Sequence, residues 1–238
     1  MSSAPAADPQ GLAAFVRVAW LIVRKDVLVE LRSREIVYTT VFFAASCVLV
    51  FAFSLVRQDR DVSGFAAGIL WIAVAFSGTL ALGRVFERER VNETLQALML
   101  APYERPAVYV GKLVGIVLLM GLVEVVLVPM VGLMFQAPIV SHAGYLVLLL
   151  FLGTLGFAAV GTLFAAMLVR ARSRDVLLPI LLYPITIPVI IAGVRGTAVL
   201  FEAESGLAMV RAWLGMLTFF DVVFITLSLW TFEAVMTE

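Results

Sequence analysis

Residues Ile36 to Val56 read IVYTTVFFAASCVLVFAFSLV, twenty-one residues without a charged side chain. A helix of about 20 apolar residues crosses the roughly 30 Å hydrocarbon core of a bilayer, because each residue adds about 1.5 Å. The whole chain is similarly apolar: 63% of its 238 residues are hydrophobic and 14% are charged, against roughly 25% charged in soluble domains. The sequence therefore predicts an integral membrane protein.

Five further apolar stretches follow the first. The predicted spans are residues 36–56, 65–83, 114–135, 143–169, 176–194 and 212–232. The fifth contains Pro179, Pro184 and Pro188, which remove three backbone donors, so we expect this helix to be broken and buried inside the bundle. Residues 195–211 predict a short amphipathic helix on the membrane surface. Residues 36–238 thus form one six-helix, all-α transmembrane domain.

The N-terminal part of the chain has a different composition. Residues 1–11 are small and polar or proline-containing, which is typical of a disordered tail. Residues 12–35 contain an apolar run too short to span a bilayer, followed by a basic segment, which predicts an amphipathic helix in the membrane interface. Its immersed side would carry Phe15, Val16, Trp20, Val23 and Val27. A cytosolic helix packed on a partner is the alternative.

The positions of Lys and Arg predict the orientation. Thirteen of the seventeen basic residues lie in the N-terminal segment and in the loops after the second and fourth spans, against four on the opposite side. Both termini and the long polar interval between the second and third spans are therefore predicted to be cytosolic.

That polar interval, Arg84 to Lys112, reads RVFERERVNETLQALMLAPYERPAVYVGK. At 100° per residue its apolar side chains fall on one side and its charges on the other, which predicts a short amphipathic helix ending at Pro102. No phosphate-binding G-x-x-x-x-G-K-[ST] loop occurs in the sequence, so an ATP-driven transporter would need its ATPase on another chain. We expect that ATPase to dock on the following residues of the interval: Glu87, Arg88, Val91, Glu93, Leu95, Leu98 and Met99.

A second cytosolic contact is expected at the basic loop after the fourth span, Arg170, Arg172 and Arg174. The alternative for the coupling helix is that its apolar side lies on lipid headgroups, which its acidic residues disfavour. The chain's formal net charge of zero argues against a nucleic-acid partner.

Candidates for chemistry inside the membrane are few. Glu124 and Asp221 lie within predicted spans, where a charge costs at least about 2.5 to 3.5 kcal/mol, so they are either structural or line a substrate or proton route. His142 has no second metal ligand near it in sequence, and a surface histidine is favoured over an axial haem ligand. Cys47 lies alone within a span. We expect a non-catalytic chain with no cofactor-binding or metal residues.

Several stretches resemble the CcmB family, the membrane subunit of the haem exporter of cytochrome c biogenesis, within the ABC-2 type permeases. They are RKDVLVELRSRE (Arg24 to Glu35), GILWIAVAFSGTLALGRVFERER (Gly68 to Arg90), LQALMLAP (Leu95 to Pro102), YVGK (Tyr109 to Lys112) and DVLLPILLYPITIPVIIAG (Asp175 to Gly193). The resemblance extends from about residue 17 to the C-terminus. It implies a multi-pass permease of the bacterial inner membrane.

The resemblance also implies partners: a second copy of the chain, an ATPase subunit CcmA that binds ATP, the haem-handling subunits CcmC and CcmD, and the haem chaperone CcmE. Membrane lipid is a further expected partner of this chain. The chain would couple ATP hydrolysis to haem export or to release of the haem-loaded chaperone, with haem as possible cargo. The alternatives are an ABC-2 exporter of drugs, lipids or glycans, and a passive scaffold for the haem-handling subunits. A proton-driven carrier is disfavoured because the spacing of the spans shows no inverted repeat.

Overall fold

A computed structural model of the protein describes residues 11–55, 63–86, 105–169, 171–202 and 206–237. Within these ranges the chain forms seven α-helices and no β-strand. The helices are α1 (Leu12–Ser33), α2 (Glu35–Leu55), α3 (Ser63–Arg84), α4 (Arg105–Phe135), α5 (Ala143–Met167), α6 (Arg174–Phe201) and α7 (Leu207–Thr237). The predicted all-α fold is confirmed.

Six of these helices, α2 to α7, are long and apolar enough to cross a membrane, as predicted. Three helix boundaries differ from the prediction. α4 begins at Arg105, ahead of the predicted start at Val114. α6 continues to Phe201 and α7 begins at Leu207, so most described residues of 195–211 belong to these two helices and do not form a separate surface helix. The reason is packing: Thr197 and Leu200 are buried, which extends α6 past the charge that suggested its end.

α5 lies at the centre of the bundle and packs against α3, α4, α6 and α7. Small residues allow these approaches, because a methyl group added at Gly153 or Gly161 would overlap a side chain of α3. The neighbours are Trp71 for Gly153 and Leu82 for Gly161. The glycines of α5 thus determine how closely α3 can pack against it.

Trp71 joins three helices through its indole ring. The ring packs between Gly153 of α5 and Gly193 of α6, and the side chain is 2% exposed. Its Nε1 donates a hydrogen bond of 2.9 Å to Oγ1 of Thr197 on α6. A buried indole N–H needs an acceptor, since neither apolar side chains nor lipid can supply one. The tryptophan in the Gly68 to Trp71 block thus has a structural role, which is to hold α3, α5 and α6 together.

α6 is continuous over 28 residues although Pro179, Pro184 and Pro188 lie inside it. The prediction that this helix is broken and buried is therefore corrected on both points. Each proline removes only one backbone donor, and the hydrogen bonds on either side continue the helix. One face of α6 is also open: Ile180 is 60% exposed and Pro184 is exposed.

α1 packs mainly on α4 and turns into α2 at a sharp elbow. Its residues Ile22 and Val23 are buried, whereas Trp20 is 63% exposed. Val23, expected on the immersed side, thus lies on the packed side instead. At the elbow Arg34 adopts a left-handed conformation with φ of 54°, and the carboxylate of Glu30 accepts a 2.9 Å hydrogen bond from the backbone of α2. The position of α1 in the membrane interface stays a prediction.

Candidate functional site

The ends of the predicted coupling segment, Arg84 to Lys112, are described by the structure, whereas residues 87–104 lie outside the described residues. α3 ends at Arg84, a turn follows at Val85 and Phe86, and α4 begins at Arg105. The seven predicted docking residues all fall in the undescribed part: Glu87, Arg88, Val91, Glu93, Leu95, Leu98 and Met99. Their role in docking stays a prediction. The contacts described below are those that attach the two ends of the segment, at the end of α3 and the start of α4, to the rest of the bundle.

Lys112 connects both ends of the segment to α1. Its side chain is 3% exposed, and its Nζ lies 2.9 Å from Oδ2 of Asp26 on α1. The same nitrogen donates a 3.1 Å hydrogen bond to the carbonyl oxygen of Val85 and lies 5.3 Å from the ring centroid of Phe86. One ammonium group therefore holds α4, α1 and the turn after α3 together. We call Lys112, Asp26, Val85 and Phe86 the clasp.

The electrostatics of the clasp favour a fixed arrangement. A lysine taken out of water needs a close carboxylate and further hydrogen bonds, and Asp26, Val85 and the face of Phe86 supply these contacts. Asp26 is also 3.1 Å from the Nζ of Lys25, so one acid lies between two bases. Sequence reasoning predicted Lys112 as a cytosolic charge and as part of the YVGK block, but it did not predict the contact with Asp26. The sequence does indicate that Lys112 has a buried partner, because Lys112 is the one charged residue between Arg105 and Glu124.

The two other contacts of the YVGK block attach the same turn of α4 to its neighbours. Tyr109 is fully buried, and its hydroxyl donates a 3.0 Å hydrogen bond to the carbonyl oxygen of Ala159 on α5. Gly111 faces α1, where an added methyl group would lie 2.8 Å from Cβ of Ile22. The start of α4 is therefore bound to α1, to α5 and to the end of α3, and a displacement of this turn would disturb all three contacts.

A second ion pair lies at the end of α3. Nη1 of Arg84 is 3.0 Å from Oε1 of Glu35, the first residue of α2. Both side chains are substantially exposed, 42% and 64%, so water screens the pair and its contribution to stability is small. It nevertheless places the first residue of the coupling segment beside the elbow between α1 and α2.

The two intramembrane acids occupy different environments. Glu124 on α4 accepts a hydrogen bond from the hydroxyl of Thr154 on α5. Asp221 on α7 is 4% exposed, and neither of its carboxylate oxygens has a hydrogen-bond partner among the described residues. Asp221 packs against Gly156 of α5. Glu124 thus has a structural partner, which Asp221 lacks in the described chain.

The remaining predicted positions are the basic loop after the fourth span and His142. Arg170 lies outside the described residues, Arg172 is exposed, and Arg174 is 3% exposed. Arg174 is therefore buried in the single chain, and the role of this loop as a second cytosolic contact stays a prediction. His142 directly precedes α5. Within the described ranges, no group of three or more His, Cys, Asp or Glu residues could hold a metal ion.

Comparison with known proteins agrees with this architecture. The family model described as CcmB protein matches residues 17–237. Heme exporter protein B of Haemophilus influenzae is 29% identical over 170 residues, 71% of this chain and 76% of that protein. Heme exporter protein B of Shigella flexneri is 30% identical over 197 residues, 81% and 89% of the two chains. That of Rhodobacter capsulatus is 30% identical over 171 residues, 71% and 78%. The match includes all six spans and the clasp, and the chain belongs to the CcmB family.

Proposed function

We propose that this chain is the membrane permease subunit of an ATP-binding-cassette complex in cytochrome c maturation. In this proposal it couples ATP hydrolysis by a separate subunit to haem export or to release of a haem-loaded chaperone. The observation that carries the proposal is the family match over residues 17–237, together with relatives named heme exporter protein B. The six spans and the bacterial relatives make the chain a multi-pass protein of the bacterial inner membrane.

The clasp supports a specific mode of coupling. An ATPase that closes on nucleotide would push on residues 84–112 from the cytosol. Because Lys112 binds both Val85 and Asp26, the end of α3, the start of α4 and α1 would move together rather than separately. The hydrogen bond from Tyr109 to Ala159 would pass this movement to α5 at the centre of the bundle. Packed helices often have two discrete arrangements, so a small displacement at one site can switch the whole bundle from one arrangement to the other.

The assembly expected around this chain has several members. They are a second copy of the chain, the ATPase CcmA, the subunits CcmC and CcmD, and the chaperone CcmE. ATP would bind to the ATPase subunit, and this chain would not itself catalyse a reaction. Haem would be cargo of the complex, and no residue of this chain is assigned to it.

The test uses the purified complex of this chain with its ATPase. Leu95→Asp places a charge in the predicted apolar stripe, and Glu93→Lys reverses a charge on the opposite side of the same helix. We expect both variants to lose the stimulation of ATP hydrolysis while their far-UV circular dichroism is unchanged. Asp59→Lys, in the predicted outer turn between the first two spans, is the charge-reversal control and should retain stimulation.

Two results would count against the proposal. Unchanged stimulation in both Leu95→Asp and Glu93→Lys would remove the predicted docking site. Normal rates of cytochrome c maturation with a hydrolysis-deficient ATPase would show that the chain acts as a passive scaffold.

A further inference from the structure

A groove of about 860 Å³ lies beside the clasp. It is bounded by the second half of α1, the elbow at Arg34, the start of α2, the end of α3 and the middle of α4. α1 packs on α4 near Ile22 and Gly111, but α1 and α2 contact each other only slightly. The elbow therefore leaves an open space between the C-terminal half of α1 and the bundle.

The walls of the groove are apolar and face outward. Leu118 and Leu122 of α4, one helical turn apart, are 52% and 46% exposed. Val29 of α1 and Val37 of α2 lie on other sides of the groove. Since α2 and α4 are spans, the medium that meets these side chains is lipid. The groove therefore offers a binding surface to a hydrocarbon chain.

The charges of the groove are predominantly basic. Among the described residues, four basic side chains line it, Lys25, Arg34, Arg84 and Lys112, against two acidic ones, Asp26 and Glu30. Both acids are already engaged within the protein. Asp26 pairs with Lys25 and Lys112, and Glu30 accepts the N–H of Val37.

Arg34 is the basic residue best placed to accept an external anion. It is exposed, and it makes no ion pair with any described carboxylate. Its guanidinium donates only two long hydrogen bonds of 3.4 Å, to the carbonyl oxygen of Leu31 and to the hydroxyl of Tyr38. An exposed guanidinium that forms no ion pair and only long hydrogen bonds can donate two parallel N–H groups to the oxygens of a phosphate.

From this combination we propose that the groove binds one anionic phospholipid, with its headgroup phosphate on Arg34 and an acyl chain along Leu118 and Leu122. Basic pockets between membrane helices on the cytosolic side recognise anionic headgroups in this way. Haem is also an anionic amphiphile, but no His, Cys or Met of the described ranges lines the groove to bind its iron. Tyr38 is the described lining residue of a type that binds haem iron, so displacement of the lipid by haem is one outcome of the test below.

The site adjoins the clasp, because Asp26, Val85 and Lys112 also line the groove. A bound lipid would fill the space between the elbow and the turn after α3. It would thereby limit the relative movement of α1 and α4. This inference concerns lipid binding alone and does not depend on haem transport.

The test measures lipid retention by the full-length chain in detergent, using native mass spectrometry after delipidation. We expect phosphatidylglycerol to bind in preference to phosphatidylcholine. Arg34→Gln should weaken this binding by about fivefold, the effect of losing one basic residue near a lipid surface. Arg34→Lys keeps the charge but loses the bidentate fork, so it should weaken binding less than Arg34→Gln does. Arg17→Gln, which removes an exposed arginine of α1 outside the groove, should leave binding unchanged.

Three controls keep the proposal falsifiable. Far-UV circular dichroism must match the wild type for each variant, and Leu118→Trp, which fills the groove without changing charge, should also reduce retention. Inorganic phosphate in excess should not displace the lipid, since the acyl chain contributes to binding. Equal retention of the two lipids, an equal effect of Arg34→Gln and Arg17→Gln, or displacement of the lipid by haem with a Soret band would overturn the proposal.

Discussion

The ammonium nitrogen of Lys112 lies 2.9 Å from a carboxylate oxygen of Asp26 and joins the start of α4 to α1. The two partners are unequally buried, since the side chain of Lys112 is 3% exposed and that of Asp26 is 28% exposed. Asp26 also has Lys25 within 3.1 Å, so it would retain a cation if Lys112 were removed. Removing Asp26 should therefore change the stability of the chain by a different amount than removing Lys112.

We predict that Asp26→Ala destabilises the chain more than Lys112→Met. Removal of Asp26 leaves a buried ammonium without its carboxylate, and we expect a loss of about 3 kcal/mol. Lys112→Met removes the buried charge itself and leaves Asp26 near water and Lys25, so about 1 kcal/mol is expected. Thermal unfolding of the purified chain in detergent, followed by circular dichroism, measures both.

The matched control for this prediction is Lys25→Met. Lys25 pairs with the same acid but its side chain is 51% exposed, so its removal should cost less than about 1 kcal/mol. The double variant Asp26→Ala/Lys112→Met should cost less than the sum of the two single changes, because no unpaired buried charge remains. A larger loss for Lys112→Met than for Asp26→Ala would contradict the argument from burial.

We predict that Gly153→Ala destabilises the bundle, whereas Gly144→Ala does not. Both glycines lie on α5, but a methyl group at Gly153 would overlap the ring of Trp71, and one at Gly144 meets nothing within 4 Å. Overpacking in a closely packed core costs about 1 to 3 kcal/mol, while alanine in an open helical position gains about 0.5 to 1 kcal/mol. Thermal unfolding compares the two, and equal midpoints would show that α5 can move away from Trp71.

The spans were predictable because the membrane imposes a simple rule. A helix must be about 20 apolar residues long to cross the hydrocarbon core, and composition alone shows such stretches. The first span was predicted at residues 36–56 and is found at Glu35–Leu55. The ends of α6 were harder to predict, because the sequence shows the charge of Arg195 but not the neighbours that bury Thr197 and Leu200.

The clasp could not be predicted in full for a related reason. An isolated lysine in an apolar helix indicates a buried partner, but the partner depends on which helix packs there. Asp26 lies on a helix that was assigned to the membrane interface from its amphipathic pattern, and that pattern does not show packing against α4. The prediction that the prolines break α6 was wrong. The rule that proline breaks a helix does not take account of the neighbouring hydrogen bonds, which continue the helix on either side of each proline.

We predict that Glu124→Ala lowers the unfolding midpoint more than Asp221→Ala. Glu124 accepts a hydrogen bond from Thr154, so its removal costs about 1 to 2 kcal/mol and leaves a buried hydroxyl to find another acceptor. Asp221 has no hydrogen-bond partner in the described chain, so removal of its carboxylate should be nearly neutral. Thr154→Val, which deletes the donor, tests whether the cost of Glu124→Ala comes from this bond.

The outcome for Asp221 also separates structural from functional roles. If Asp221→Ala leaves the unfolding midpoint unchanged but lowers the yield of cytochrome c in cells, the acid acts on a substrate or a partner. If the midpoint falls as far as in Glu124→Ala, Asp221 has a structural partner that the described residues do not supply.

The predicted orientation can be tested with single cysteines, because the chain has one native cysteine, Cys47, which lies within α2. On a Cys47→Ala background we expect Asp59→Cys to react with a membrane-impermeant maleimide in cells with a permeabilised outer membrane. Glu93→Cys, in the coupling segment, should react only after the inner membrane is opened, since thirteen of the seventeen basic residues lie on the predicted cytosolic side. Labelling of Glu93→Cys in intact inner membranes would place residues 84–112 outside the cytosol. An ATPase could not then reach the segment, and coupling through the clasp would be excluded.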